Sequence, residues 1–290
     1  MGEELERERR SLTLLAYRML GTVADAEDAV QETYVRWYRL TSSERQAIRN
    51  PAAWLTRVVG RVCLDILGSA RSRRERYVGE WLPEPIPGEW PVTVTASADP
   101  LDRVTLDESV SMALMIVLDS LTPAERVAFV LHDVFAVPFA DIAEIVGRST
   151  DAVRQLASQG RRRVRDRRAG LATRERHDAV AQAFAAAAAT GELGRLITVL
   201  DPDVVLRSDG GGRVSAARRP VFGADRVGRF LLGAPRLSPD RVLTPVTTPD
   251  GIAFLGTVDG RPDALISLTV SGDRVTEVHI VRNPDKLTLW

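Results

Sequence analysis

The sequence predicts a multidomain protein: two all-α helical domains, followed by an α+β cone with a curved antiparallel sheet. Apolar residues at helical spacing run through residues 1–78 and again through 101–172. A stretch rich in proline and tryptophan, residues 79–100, separates them and is typical of an extended linker. Four strand-like runs divided by turn residues lie near the C-terminus and place an α+β domain at 173–290.

Composition limits the classes of function. The 39 basic and 39 acidic side chains give a formal net charge of zero, so any affinity for nucleic acid must come from local patches such as 71–76 and 161–168. One cysteine, Cys63, excludes an intrachain disulfide and fits a reducing compartment. Without a long uncharged apolar run, the sequence predicts neither secretion nor a membrane span. We therefore expect a cytoplasmic protein.

The first helical domain is predicted to contain three helices. Gly21 ends the first, and Asp25 is expected to cap the second. Asn50 followed by Pro51 starts the third, on which Arg57 and Arg61 lie one turn apart. The second helix also carries a polar stripe that packing does not require. It is either a wet surface or a docking face, and it consists of Asp28, Gln31 and Glu32.

The second helical domain contains a helix-turn-helix pattern. Thr122 to Glu125 form a capping box that starts the preceding helix. Gly147 is predicted to break the first helix of the motif, and Ser149 to cap the second. Polar and basic side chains then face outward, where they can reach base edges or phosphates: Arg154, Gln155, Ser158, Arg161 and Arg162. The alternative is a plain pair of packed helices with a solvated basic end.

The C-terminal domain is predicted to begin with a helix through Val180 and Phe184. A strand then runs into the glycine-rich segment 209–212, which is a weak match to a phosphate cradle and fits a plain loop better. Four further strands follow in an antiparallel meander. Asp209 and His279 are candidates for a general acid–base pair inside this domain, although nothing in the sequence brings them together. The sequence holds no catalytic or metal-binding motif, and we expect no cofactor.

Two pairs of stretches carry a family resemblance. GTVADAEDAVQETYVRWY and NPAAWLTRVVGRVCLDIL resemble region two of the sigma-70 family, and LTPAERVAFVLHDVF with DIAEIVGRSTDAVRQLASQGRRRVR resembles region four. The chain is similar to sigma factors of the extracytoplasmic-function type. It resembles the subgroup with a fused SnoaL-like, nuclear-transport-factor-like domain, whose marks are WLPEP at 81–85, DGGG at 209–212 and NPDKL at 283–287.

The resemblance implies functional residues for each step of transcription initiation. Asp28, Gln31 and Glu32 match the face that docks on the coiled coil of the largest catalytic subunit of core RNA polymerase; the flap region is a second expected contact. The residues matched to the −10 element are Asn50, Arg57, Arg61, Arg71, Arg73 and Arg74. The residues matched to the −35 element are Ser149, Thr150, Arg154, Gln155, Ser158, Arg161 and Arg162.

We further hypothesise that the C-terminal domain restrains the two helical domains by packing on the linker, because residues 79–91 are rich in tryptophan and proline and the C-terminal domain carries two of the motifs. Asp285 and Lys286 are expected to pair or to cap the tail. The residues expected to make regulatory contacts are Trp81, Leu82, Pro83, Glu84 and Pro85 in the linker, Asp209, Gly210, Gly211 and Gly212 in the loop, and Asn283, Pro284, Asp285, Lys286 and Leu287 in the tail.

Other functions remain open from the sequence. The C-terminal domain can instead hold a small ligand or an enzymatic site fused to a helix-turn-helix regulator. A third interpretation is an ordinary helix-turn-helix repressor, but this leaves the resemblance to region two unexplained. We expect a sigma factor that is not itself an enzyme and that binds promoter DNA with core RNA polymerase.

Overall fold

The computed structural model describes residues 2–74, 77–88, 90, 111–237 and 239–290. It divides into two compact units. Within the described residues, the first unit holds the N-terminal helices up to residue 74 together with Leu114–Asp166. The second holds the linker residues from 77 to 90, Ser111–Ala113 and Arg167–Trp290. In the part of the chain that is described, no helix is long and apolar enough to cross a membrane.

The N-terminal helices of the first unit are α1 (Gly2–Leu20), α2 (Val23–Arg39), α3 (Ser42–Ala47) and α4 (Pro51–Arg74). Gly21 ends α1 with a positive φ of 83°. The predicted cap of α2 is wrong, because Thr22 occupies the cap position and its hydroxyl accepts from the Asp25 amide at 3.3 Å. The Thr22 hydroxyl also donates to the Asp25 carboxylate at 2.7 Å, so both polar groups belong to one cap.

Helix α4 begins as its sequence predicts. Asn50 accepts from the Ala53 amide at 3.1 Å, and Pro51 is the first helical residue. The apolar side of α4 is buried and includes Leu55, Val59 and Cys63. Burial raises the pKa of the Cys63 thiol far above its ordinary value, which keeps it protonated and unreactive.

The second part of the first unit forms the helix-turn-helix. Its helices are α5 (Met112–Ser120), α6 (Pro123–Phe129), a π-helical turn (Val130–Val134), α7 (Phe139–Val146) and α8 (Thr150–Arg168). The first two residues of α5 and the last two of α8 belong to the second unit. The Thr122–Glu125 capping box is present at the start of α6. Gly147 adopts the left-handed conformation that ends α7, with φ of 69°. Ser149 accepts from the Ala152 amide at 3.3 Å, so the predicted helix-turn-helix is confirmed.

The second unit packs three helices on a six-stranded sheet. The helices are α9 (Arg174–Ala189), α10 (Leu193–Val199) and α11 (Ala224–Leu237). The strands are β1 (Leu200–Asp209), β2 (Val221–Phe222), β3 (Val242–Thr248), β4 (Gly251–Val258), β5 (Arg261–Ser271) and β6 (Arg274–Val281), in the order β2-β1-β6-β5-β4-β3. The predicted α+β class is confirmed. The sheet is mixed, because β1 runs parallel to β6 while the meander β3–β6 is antiparallel as predicted. It is unclosed, because β2 and β3 lie at its two edges.

The two faces of this sheet have different chemistry. The even-numbered Leu206 of β1 and Val278 of β6 join an apolar core with Phe184 of α9 and Val227 of α11. Because side chains alternate along a strand, the odd-numbered residues at the end of β1 and those of β6 from Glu277 onward lie on the opposite face. Val275 joins the core instead, since the register shifts between it and Glu277. That face carries the polar groups Arg207, Asp209, Glu277 and His279.

Candidate functional site

The outward face of α8 carries the residues predicted to read the −35 element. Val153, Ala157, Gly160 and Val164 are buried and anchor α8 in the first unit. Thr150 is half-buried, and the others of the set are exposed: Ser149, Arg154, Gln155, Ser158, Arg161 and Arg162. An anchored helix with an exposed polar face is the arrangement with which helix-turn-helix proteins enter a major groove.

Two of these arginines are held by neighbouring carboxylates. Arg154 donates to Asp151 at 2.8 Å, and its guanidinium lies 5.7 Å from the ring centre of Phe139. Arg161 donates through Nε to Asp133 at 2.6 Å, and this hydrogen bond raises its pKa. Such pairs orient the long arginine side chains. Because exposed ion pairs contribute little stability, a phosphate or a base can replace the carboxylate at little energetic cost.

Sequence reasoning missed the part that Gly160 plays in positioning α8. A Cβ atom at this position would lie 3.0 Å from the Phe129 Cβ atom on α6. The lack of a side chain therefore lets α8 cross α6 closely. A glycine inside an otherwise helical pattern was the available signal.

The polar stripe on α2 faces solvent opposite the buried residues of the same helix. Asp28 and Gln31 are exposed, and Glu32 is half-buried. Glu32 accepts from Arg36 at 2.9 Å, one turn further along α2. On the other side of the helix, Ala29 and Val30 are almost fully buried. The stripe is thus an accessible acidic and amide surface.

Three of the residues predicted to contact the −10 element have described side chains, and each of the three has a partner within the first unit. Asn50 is engaged as the cap of α4. Arg57 lies within ion-pair distance of two carboxylates on α7, and Arg61 donates to the carbonyl oxygen of Ile145 at 2.8 Å. The side chains of Arg71, Arg73 and Arg74 lie outside the described residues.

In the second unit, the three short motifs meet around one buried carboxylate. We call the group Tyr77, Leu82, Asp209, Asn283 and Lys286 the linker–tail cluster. Asp209 is fully buried and accepts from the Tyr77 hydroxyl at 2.6 Å, the Leu82 amide at 3.0 Å and the Lys286 ammonium at 2.7 Å. It also accepts from the amide of Gly211 at 2.9 Å. The carboxylate therefore ties the linker and the tail to the end of β1.

Lys286 is the second centre of the linker–tail cluster. Its ammonium donates to the Leu82 carbonyl as well as to Asp209 and lies 4.1 Å from the ring centre of Trp81. Asp285 is exposed and pairs with Arg213 at 2.9 Å, whereas the buried Lys286 pairs with Asp209. A buried ammonium is stable only when its charge and its donors are matched, and here a carboxylate, a carbonyl and an aromatic face match them.

Two aromatic residues that sequence reasoning did not single out complete these contacts. The Tyr77 hydroxyl accepts from the Asn283 amide at 3.0 Å, and burial together with its hydrogen bond to Asp209 raises its pKa. The Trp290 indole donates to the Pro85 carbonyl at 2.9 Å. The available signal was an aromatic residue beside each motif: Tyr77 just before WLPEP and Trp290 just after NPDKL.

The remaining motif residues pack around the linker–tail cluster. Pro83, Glu84 and Pro85 are buried with Leu82, as is Leu287 in the tail, whereas Pro284 is exposed. The loop approaches the tail so closely that a Cβ atom on Gly211 would lie 2.5 Å from the Asn283 side chain. Gly210 has no more room, since its Cβ atom would lie 2.4 Å from the Val214 carbonyl oxygen. A Cβ atom on Gly212 would lie 3.1 Å from Val78 in the linker.

The candidate acid–base pair is not assembled. The carboxylate of Asp209 is occupied by the linker–tail cluster. His279 is fully buried, and its Nε2 atom lies 3.3 Å from Glu277 rather than beside Asp209. Both residues project from the sheet face opposite the apolar core. Among the described residues, no group of three or more His, Cys, Asp or Glu side chains could hold a metal ion.

Comparisons with known proteins match the chain in both helical parts. The family model for sigma-70 region 2 matches residues 5–74, and the model for sigma-70 region 4 matches residues 111–164. The ECF RNA polymerase sigma factor SigJ of Mycobacterium tuberculosis is 42% identical over 98% of this chain and 92% of its own length. A probable ECF sigma factor of the same species, SigI, is 36% identical over 96% of this chain and 92% of its own length.

The structural comparison extends the similarity to the α+β domain. The crystal structure of the extracytoplasmic function sigma factor SigJ covers 99% of this chain and 98% of its own, with 39% identity and a TM-score of 0.75. The relative and this chain thus share the fusion of a C-terminal domain to the two helical regions.

Proposed function

This chain belongs to the extracytoplasmic-function sigma factors of the sigma-70 family, which are not enzymes, and from that premise we propose which of its surfaces carry each step of initiation. The functional domains are 1–78, the linker 79–100, 101–172 and 173–290. It acts where RNA polymerase acts, in the cytoplasm. The observation that supports the proposal most directly is the exposed polar face of α8. The opposite face of this helix is buried, and Ser149 caps its first turn.

The proposal assigns α8 to the duplex of the −35 element. Gln155 and Arg154 supply base-edge hydrogen bonds, and Arg162 neutralises phosphate charge. Replacement of a base-reading side chain changes sequence preference. Replacement of a phosphate-binding side chain lowers affinity for all sequences alike and reduces the dependence on salt.

The test is transcription in vitro with purified core polymerase on a library of promoter fragments with randomised −35 elements. Gln155→Ala should relax the preference at one or two positions, and Arg162→Ala should weaken all promoters without changing their rank. Equal loss of preference in both variants would contradict the assignment. The exposed Arg195 on α10 provides a control, since Arg195→Ala should change neither property.

The proposal assigns the stripe Asp28, Gln31 and Glu32 to the coiled coil of the largest catalytic subunit. The exposed carboxylate of Asp28 and the half-buried carboxylate of Glu32 suit a basic partner surface, and such contacts depend on ionic strength. Asp28→Lys should weaken the binding of core polymerase, measured by fluorescence anisotropy. Asp65→Lys, which changes an exposed carboxylate on α4 in the same way, should affect this binding far less. Unchanged binding by Asp28→Lys would exclude this face. The flap region remains a second proposed contact.

The proposal assigns Asn50, Arg57, Arg61, Arg71, Arg73 and Arg74 to the separated strand of the −10 element. A cationic groove that follows the backbone is the usual way to hold single-stranded DNA. Arg57→Ala should therefore reduce open complexes formed by the holoenzyme, detected by permanganate reactivity of unpaired thymines. Unchanged open-complex formation would remove Arg57 from this role.

The proposal also includes self-regulation by the C-terminal domain through the linker–tail cluster. Its support is the burial of linker residues 82–86 and the four donors converging on Asp209. Lys286→Met should release the linker and change the yield of promoter-directed transcripts. Arg213→Ala, which removes an exposed ion pair with the same tail, should not. Equal transcription by both variants and the parent would contradict regulation through this contact.

A further inference from the structure

The arginines on the outward side of α8 differ in how firmly their side chains are held. Arg162 is exposed, and no ion pair ties it to another described residue. Arg161 precedes it directly, yet its guanidinium donates through Nε to Asp133 Oδ1 at 2.6 Å. The side chain of Arg161 is nevertheless 49% exposed. One arginine is therefore unrestrained, whereas its neighbour is held at Nε and reaches solvent beyond that atom.

Asp133 is a firm support for this arginine. It lies in the π-helical turn, in which Val130 and Leu131 are fully buried, and such turns occur frequently at functional sites. The side chain of Asp133 is 19% exposed, whereas that of Asp151, which pairs with Arg154, is 86% exposed. The other oxygen of Asp133 is buried and accepts no hydrogen bond from the described residues. This carboxylate thus serves Arg161 alone.

A glycine on α8 fixes the separation between the two residues. Gly160 is buried and directly precedes Arg161. A Cβ atom there would lie 3.0 Å from the Phe129 Cβ atom and 3.6 Å from the Glu125 carbonyl oxygen. Phe129 in turn is the last residue before the π-helical turn. Close packing of α8 on α6 therefore places Asp133 and Arg161 beside each other, independently of their own ion pair.

The bond to Asp133 leaves the outer end of the guanidinium available. Because Asp133 engages Nε, the terminal amino groups Nη1 and Nη2 of Arg161 keep donors at the far end of the planar group. Two parallel donors of this kind match the O6 and N7 acceptors on the major-groove edge of guanine. The geometry therefore suits a bidentate contact to a base.

The charges of the pair favour a base over a phosphate as the ligand. The formal charges of Arg161 and Asp133 cancel, so the pair adds little to the attraction between α8 and the DNA backbone. A phosphate contact also needs no fixed orientation of the guanidinium plane. Discrimination between bases does require a fixed plane, which the carboxylate provides.

We propose that Arg161 recognises a guanine in the −35 duplex and that Asp133 is its positioning residue. This proposal rests on the proposed function of α8. Arg154 and Arg161 are about two helical turns apart, so they share one face of α8 and lie about 10 Å apart along its axis. That distance corresponds to about three base pairs of duplex. The two arginines therefore recognise different positions of one element.

The test is transcription in vitro by the full-length protein with core polymerase, on fragments with randomised −35 elements. Arg161→Ala should lower the preference for guanine at one position by about tenfold, as loss of a bidentate contact does. Arg161→Lys keeps the charge but loses the planar fork, so total transcription should stay near that of the parent while the preference falls equally. Asp133→Ala should reduce the same preference by about threefold and leave the other positions unchanged.

Three further variants separate positioning from charge and from folding. Asp133→Asn retains an oxygen that accepts from Nε and should keep most of the guanine preference. Asp166→Ala removes an exposed carboxylate from the same helix and should leave every base preference unchanged. Asp133→Ala combined with Arg161→Ala should be no less selective than Arg161→Ala alone, because the two residues act as one unit.

The outcomes distinguish this inference from the proposed function of α8. An unchanged guanine preference in Asp133→Ala, or a loss spread over the whole element, would overturn the positioning role. Equal weakening of all promoters by Arg161→Ala, with the preference intact, would make Arg161 a phosphate contact. If Gln155→Ala still relaxes another position in these cases, α8 keeps its assignment and only this inference fails. If Arg154→Ala, Gln155→Ala and Arg161→Ala all leave every preference intact, the assignment of α8 to the −35 element fails as well.

Discussion

The Lys286 ammonium lies 2.7 Å from Oδ2 of Asp209, and both side chains are buried in the second unit. The two residues come from the tail and from the end of β1, and the linker lies on both of them through Leu82. The pair therefore holds three segments of chain at one point. Removal of either charge leaves the other without its partner in a low-dielectric site.

We expect Lys286→Met to lower the free energy of unfolding of the second unit by about 3–5 kcal/mol, because it leaves the Asp209 carboxylate buried and uncompensated. Urea unfolding followed by tryptophan fluorescence measures this, since Trp81 and Trp290 report on the linker and the tail. Arg213→Ala removes an exposed pair and should cost at most about 1 kcal/mol. Restoration of stability by Asp209→Asn in the Lys286→Met background would show that the uncompensated charge is the cause.

The glycine-rich loop allows a second comparison of stability. Gly211 and Gly191 both have a positive φ, 63° and 69°, but a Cβ atom on Gly211 would meet Asn283 at 2.5 Å whereas one on Gly191 meets nothing within 4 Å. Gly191→Ala should cost about 1 kcal/mol from backbone strain alone. Gly211→Ala should cost about 2 kcal/mol or more beyond that and should loosen the tail. Equal losses in thermal unfolding would mean that close approach to Asn283 contributes nothing.

The pKa of Glu277 determines how the stability of the second unit is expected to change in acid. Burial raises the pKa of Glu277, but the hydrogen bond and charge of His279 and the charges of Arg167 and Arg207 outweigh it and lower the pKa to about 2. A carboxyl with a depressed folded-state pKa adds stability above its unfolded value, and that stability is lost as the pH falls from about 4.5 to about 2.

We therefore expect the free energy of unfolding to fall by up to about 3 kcal/mol across this pH window. Glu277→Gln should be less stable than the parent at neutral pH and should flatten the profile between these values. Chemical unfolding at a series of pH values measures both effects. The exposed Glu192 provides the control, and a profile for Glu277→Gln as steep as that for Glu192→Gln would contradict the assignment.

Local signals in the sequence were sufficient for most elements of the fold. The Thr122–Glu125 box, Pro51 after Asn50 and the left-handed Gly147 each act within one turn of helix, and each appears where the sequence predicts it. The wrong prediction of the α2 cap also concerned residues within one turn. Thr22 and Asp25 are both suitable capping residues, and the extended backbone of Thr22 places its hydroxyl at the cap position.

Contacts between distant segments were not predictable in this way. The parallel pairing of β1 with β6 follows from the path of the chain, and no residue pattern in either strand specifies it. Tyr77 reaches Asp209 across 132 positions, and Lys286 reaches it across 77. The motifs indicated which segments matter, but the register of the sheet decides that Asp209 faces the linker and not the core.

The cap of α5 is a further long-range contact with a measurable consequence. Asp250, in the turn between β3 and β4, accepts from the Met112 amide at 2.7 Å, so a carboxylate 138 positions away caps the first turn of this helix. Burial raises the pKa of Asp250. Asp250→Ala should lower the free energy of unfolding by about 1 kcal/mol, as loss of an N-cap does, whereas Asp240→Ala at an exposed position should not.

Hydrogen exchange distinguishes loss of this cap from general destabilisation. Because the first amides of a helix have no partner within it, the Met112 and Ala113 amides depend on Asp250 for protection. In Asp250→Ala they should exchange at least about tenfold faster under native conditions, while amides in the middle of β5 and β6 keep their rates. Asp250→Asn retains a side-chain oxygen and should restore most of the protection. A uniform increase across both strands and the helix would instead indicate global opening and would remove Asp250 as the specific cap.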